Sequence, residues 1–151
     1  MKISKDMPLS EITLRRYEKP SELQGRELVR KFCLSLGLLQ PGDSRDIVVD
    51  ILSVLLIAKK EQQFISSAEI QEKAMEYRKN HNLEMKGIAP SNIRRQLKKL
   101  KDMFLIESVN NMYRVPEFED LEVIYNKKIE KFYLENIQER VREYFKAMKE
   151  F

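Results

Sequence analysis

The chain has 151 residues, enough for one domain or for one compact domain with an extension. A hydrophobic fraction of 42% supports a packed core and excludes wholesale disorder, while a net charge of +4 with 34% charged residues allows a polyanionic partner without requiring one. A single Cys and a single His exclude an internal disulfide, a zinc finger, a multi-histidine metal site and a histidine-based catalytic triad.

Cys33 has apolar neighbours and is expected to be a small core residue, which suits a cytoplasmic protein in a reducing compartment. The start, Met1-Lys2-Ile3-Ser4-Lys5-Asp6, has no apolar run of the signal-peptide kind. The most apolar stretch, Ile47 to Ala58, is about 12 residues long and contains Asp50, so no membrane partner is expected.

Between Met7 and Pro20 the pattern is weak. Ser10 can cap a short helix through Leu14, and Pro20 forbids its continuation. Ser21-Glu22-Leu23-Gln24 has the form of a capping box, and Leu28, Val29, Phe32, Cys33 and Leu36 recur at helical spacing, predicting a helix over Ser21–Leu36 that Gly37 ends. Pro41-Gly42 marks a turn, after which Asp43 or Ser44 caps a helix from Arg45 to Glu61. That helix is apolar around most of its circumference, so it is expected at the centre of the molecule with the first helix across one side.

Ser66-Ser67-Ala68-Glu69 is a second capping box, with Phe64 or Ile65 as its staple, opening a helix that ends near Asn80. A connection through Gly87 leads to Pro90, well suited to the first position of the next helix. There Ile93, Leu97, Leu100 and Phe104 form one apolar stripe, and the segment Ala89 to Lys101 carries five cations and no acid. Opposite the stripe lie Arg95 and, near it, Ser91, Lys98, Lys99 and Asp102; Asn92 is to one side, and Arg94, Gln96 and Lys101 flank the stripe. Asn110-Asn111 between two short apolar runs predicts a two-residue hairpin turn, because Asn tolerates positive φ. From Glu117 one long helix fits, with Leu121, Ile129, Ile137, Val141, Tyr144 and Met148 along it; its length of about 50 Å exceeds what a domain of this size can cover. Residues 117–151 hold seven cations against nine acids, so the positive charge is concentrated on the helix after Pro90.

The order of a capped helix, a Pro-Ser-led helix with a Leu-Lys-Lys-Leu ending, and a hairpin resembles the winged helix superfamily, common among bacterial and archaeal regulators. The resemblance spans Arg45 to Val115. It implies a mainly α protein made of a winged helix-turn-helix domain, an N-terminal helical extension and a long C-terminal helix. The units would be 1–43 packed on the core, 44–116 as the winged helix, and 117–151 as a dimerisation helix, all within one domain. Two departures stand out. The connection from Asn80 to Pro90 is longer than a tight helix-turn-helix turn, and the wing carries Glu107 beside Arg114.

The implied function is duplex DNA binding, with transcriptional regulation as its setting and helix 90–102 in the major groove. Arg is suited to guanine edges and Asn to adenine edges, while Lys neutralises phosphate. Ser91, Asn92 and Arg95 are therefore the candidate base readers, Arg94, Lys98, Lys99 and Lys101 the phosphate contacts, and Asn110, Asn111 and Arg114 the wing contacts. Set against this is an ordinary solvated helix face, since Lys and Arg are good helix formers. The C-terminal helix either joins two copies as a homodimer or folds back on its own domain. The alternative function is a protein-interaction winged helix serving as an assembly factor in a transcription, replication or chromosome complex. No enzyme, cofactor or metal is expected: the four Gly at 25, 37, 42 and 87 form no phosphate loop, and the carboxylates alternate with Lys, leaving only a carboxylate-only magnesium site open.

Overall fold

The computed structural model describes residues 5–151; the reading of Met1 to Ser4 as part of a chain start without a leader lies outside them. Most of the described chain is helical, with one small antiparallel sheet. α1 spans Gly25–Ser35, α2 Ile47–Lys60, α3 Ser67–Asn80 and α4 Pro90–Asp102. The strands are β1 (Ile65–Ser66), β2 (Glu107–Val109) and β3 (Met112–Arg114). The C-terminal helix runs unbroken through α5 (Leu121–Ile124), a wide π-type stretch (Tyr125–Leu134) and α6 (Glu135–Ala147).

α2 is the centre, as its all-round apolarity requires. Ile47, Val48, Val49, Ile51, Leu52, Val54 and Leu55 are all buried, and α1, α3 and α4 pack around them. Cys33 and Leu34 of α1, Ile70 and Ala74 of α3, and Ile93, Leu97 and Leu100 of α4 belong to the same core. Ser66 caps α3 as expected, its hydroxyl accepting from the Glu69 amide at 3.2 Å. Asn110 (φ 51°) and Asn111 (φ 61°) form the hairpin turn between Val109 and Met112, which are paired in register.

Several expectations fail for identifiable reasons. No helix forms between Ser10 and Leu14. That segment is an extended strap, held by Arg15, whose amide donates to the Ser35 carbonyl (2.8 Å) and whose guanidinium donates to the Leu34 carbonyl (2.9 Å). Ser21 caps nothing: Pro20–Glu22 is a single 3-10 turn, Leu23 is extended, and Gly25 at φ +60° starts α1 four residues later than expected. Neither Asp43 nor Ser44 caps α2. The Asp43 carboxylate accepts from the Arg45 amide (2.9 Å), and Asp46, at the capping position, uses its carboxylate on two arginines. The strand β1 has no counterpart in the sequence pattern; it joins the hairpin along β3, with Ile65 opposite Tyr113, giving the order β1-β3-β2. Phe104 does not complete the α4 stripe as a helical residue. The helix ends at Asp102, and Phe104 (φ 66°) turns to meet the Tyr133 ring edge-on at 5.6 Å. Finally, the C-terminal helix begins at Leu121 and not at Glu117, because Pro116–Phe118 forms a 3-10 turn in which Glu117 and Phe118 both have positive φ.

Within the C-terminal helix Ile124 and Ile129 are buried, five residues apart, as wide i→i+5 turns allow. Tyr133 is hydrogen-bonded to the Glu11 backbone, donating to its carbonyl at 3.0 Å. Beyond that point no residue of α6 is buried, so the helix folds back on its own domain only over its first half.

Candidate nucleic-acid interface

α4 owes its orientation to three fully buried side chains. Ile93, Leu97 and Leu100 lock one face onto the core, so the opposite face must meet solvent. Ser91, Arg95, Lys98 and Lys99 are exposed there, and Arg94 and Lys101 are exposed at its flank. Lys98 is bound to Asp102 one turn on (3.0 Å), an exposed pair of small energetic weight. Arg94, Lys99 and Lys101 have no ion-pair partner among the described residues, and Arg95 makes only a long 3.5 Å contact with the Asn92 side chain.

Asn92 is placed differently from the other candidates. It is half-buried and donates to the Gly87 carbonyl at 2.8 Å, while its oxygen accepts from Gln96 at 3.2 Å. It therefore holds the α3–α4 connection. The same connection is tied by Gln71, which donates to the Ile88 carbonyl (2.7 Å), and by Arg78, which donates to the Glu84 carbonyl (2.7 Å). A Cβ at Gly87 (φ +73°) would stand 2.9 Å from Asn92 and 3.2 Å from Ile47, so only glycine fits this close approach. The unusual length of the connection thus does not leave it slack.

On the hairpin, Asn110 and Asn111 are exposed at the tip, but Arg114 is engaged. Its guanidinium donates to Glu107 across the strands (2.7 Å) and lies against two rings, 4.6 Å from the Phe64 centroid and 4.9 Å from that of Phe118. Phe64 and Phe118 meet edge-to-face at 5.7 Å. Arg114 thus joins the β1 approach, the hairpin and the turn before the C-terminal helix. Of the ten candidates, eight share the exposed face of α4 and the hairpin tip, and Asn92 and Arg114 are turned to structural bonds.

A second constellation is invisible in the sequence except for Asp50. In the core, Arg26 from α1 and Arg78 from α3 bracket Asp46 and Asp50. Arg26 donates to Asp50 through Nε and Nη2 (3.0 Å each) and to Asp46 (3.0 Å), and Arg78 donates to Asp50 (2.7 Å) and Asp46 (2.9 Å). Asp50 is fully buried and Arg78 is 3% exposed. Burial opposes the charge on Asp46, yet the hydrogen bonds from Arg78 and Arg26 outweigh it and hold the carboxyl below its ordinary value. Burial likewise opposes the Arg26 charge, and the bonds and attraction of Asp50 and Asp46 leave its pKa raised. No buried side-chain polar atom among the described residues lacks a partner, so this cluster is closed and serves to join three helices. The sequence signal is Asp50 within an apolar run, since a buried carboxylate demands a cation; which arginines supply it depends on tertiary packing.

Cys33 is fully buried, and burial pushes its thiol up to about 12, which fits a core residue. His81 is exposed beside the Tyr77 ring, its Nδ1 2.8 Å from the Tyr77 carbonyl. Among the described residues no group of His, Cys, Asp and Glu has metal-holding geometry, and no helix is long and apolar enough to cross a membrane. Comparison with family models, with curated proteins and with solved structures finds no match for this chain.

Proposed function

We propose that this protein binds duplex DNA through the exposed face of α4, as a transcriptional regulator that acts as a homodimer through its C-terminal helix. The carrying observation is the contrast between the two faces of α4: one fixed in the core, the other bearing five cations against the single acid Asp102. The order α2, β1, α3, α4 and hairpin supports a winged helix reading. In this reading Ser91 and Arg95 face base edges, and Arg94, Lys98, Lys99 and Lys101 face phosphates. The Asn110-Asn111 tip rests on the backbone, and Asn92 and Arg114 act indirectly, by fixing α4 and the hairpin.

Fluorescence anisotropy with random-sequence duplex, from low to moderate salt, tests this. Wild type is expected to bind with a steep salt dependence. Arg94→Ala/Arg95→Ala should weaken binding and make the log–log slope shallower by about one per chain, for the phosphate that Arg94 no longer neutralises. No binding at low salt by a folded protein would sink the reading. It would promote the second one, a protein-assembly module, which the internal engagement of Arg114 favours because it leaves the hairpin little free positive charge.

A further inference from the structure

The C-terminal helix carries an apolar face that its own domain does not cover. Val141, Tyr144, Phe145 and Met148 are between 47% and 75% exposed, and Phe151 is 99% exposed. Leu134, Ile137, Val141, Tyr144, Met148 and Phe151 follow at alternating steps of three and four, the repeat of a seam between two helices. Beside this seam, residues 5–10 and the helix enclose an open groove of about 690 Å³, reached by Ile137, Val141 and Tyr144. Met7 and Leu9 line the same groove, 64% and 94% exposed. A seam and a flanking groove on one helix call for another helix with the same repeat.

We propose that this face pairs with the same face of a second copy in antiparallel fashion, about a two-fold axis level with residues 142–143. This deepens the homodimer reading above and rests on it. The area suffices. A fully covered aromatic side chain buries roughly 150–250 Å². With Val141 and Met148 added, and all scaled by exposure, the face offers roughly 600 Å² per chain, so two faces reach the ~1,200 Å² at which stable interfaces begin.

Size matching decides the direction. Antiparallel pairing sets Val141 against the second copy's Tyr144, Leu134 against its Phe151, and Ile137 against its Met148, so the two seam rings, Tyr144 and Phe151, each meet an aliphatic chain. Parallel pairing would press Tyr144 on Tyr144 and Phe151 on Phe151, and leave Val141 facing only Val141. The antiparallel arrangement also runs the last turns of each helix along Met7 and Leu9 of the other copy, which accounts for apolar side chains held at the groove edge. Of the charged residues of α6, Glu135, Glu139, Arg142, Glu143 and Lys146 lie away from the seam line, and Arg140, paired with Glu143 at 2.7 Å, flanks it.

The test combines molar mass with cysteine cross-linking on the full chain. Wild type is expected at twice the 18.0 kDa chain mass by light scattering. Val141→Glu/Tyr144→Glu should be monomeric with unchanged helical circular dichroism, because α6 contributes nothing to the core. Under mild oxidation Ile137→Cys/Met148→Cys should give a covalent dimer. Met148→Cys alone should not, since its two copies would lie about 16 Å apart along the antiparallel pair; the native Cys33 is buried and does not compete. Wild type that stays monomeric at all concentrations overturns both the homodimer reading and this pairing. A dimer that survives Val141→Glu/Tyr144→Glu, or that is cross-linked by Met148→Cys alone, overturns this pairing only.

Discussion

Asp50 shows how one residue can constrain a fold from inside. It sits on the most apolar helix of the chain, fully buried, and is tolerated because Arg26 and Arg78 reach it from two other helices. Replacing such a closed set by apolar side chains can be neutral, but removing one member leaves charges buried and unpaired. Asp50→Ala is therefore expected to lower stability by about 3–5 kcal/mol, read from the midpoint of urea denaturation. The cluster also sets an acid limit. The carboxyl of Asp46 lies below its ordinary 3.8 in the folded state. Its contribution is fully present above that value and is lost as pH falls through the lower, folded one. Unfolding midpoints measured between pH 2.5 and 6 should be level at the upper end and drop below about pH 4. A midpoint that stays level down to pH 2.5 would show that the pairing adds nothing.

The elements legible in the sequence are those defined by local chemistry. Ser66 three residues before Glu69, Pro90 at a helix start and Asn110-Asn111 in a turn each solve a backbone problem within a few residues, and each does in the structure what its type predicts. The failures share the opposite character. Ser21 has the right spacing for a cap, but the chain needs a left-handed bend at Gly25 to bring Arg26 inward, and that tertiary demand overrides the local signal. β1 is two residues long, too short for any period, and exists because β3 offers it a partner. On the α4 face the exposed cations follow from the stripe spacing, whereas the inward turn of Asn92 depends on Gly87, five residues away in a connection whose path no period describes. The turn itself can be tested at this scale. Asn111 holds φ 61°, a region that costs a β-branched residue roughly 1–2 kcal/mol. Asn111→Val should therefore destabilise by about that amount in chemical denaturation, while Asn111→Gly should cost nothing. Equal effects of the two substitutions would mean that the hairpin does not depend on this turn.

At the scale of the whole molecule, charge and apolar surface are segregated. α4 carries five cations against the single acid Asp102, while the segment from Glu117 to Phe151 has a slight excess of acid and carries the uncovered apolar face. A polyanion is therefore drawn to one part of the molecule and a hydrophobic partner to another, and the two events need not compete. If both proposals hold, they are linked through counterion release. A dimer that engages one duplex with two α4 faces neutralises twice as many phosphates as a single chain, so its log–log salt slope should be about twice that of a monomer. The variant Val141→Glu/Tyr144→Glu isolates this effect, because its substitutions lie on α6 and leave the α4 surface as it is. Anisotropy titrations of wild type and variant against one duplex, over the same salt range, should give the variant about half the wild-type slope and weaker binding that converges on wild type as salt rises. Equal slopes from a dimeric wild type and a monomeric variant would mean that only one α4 face reaches the duplex at a time. The pairing of the helices would then hold the two DNA-binding faces too far apart, or turned away from each other, and dimerisation would serve a purpose other than reading two half-sites.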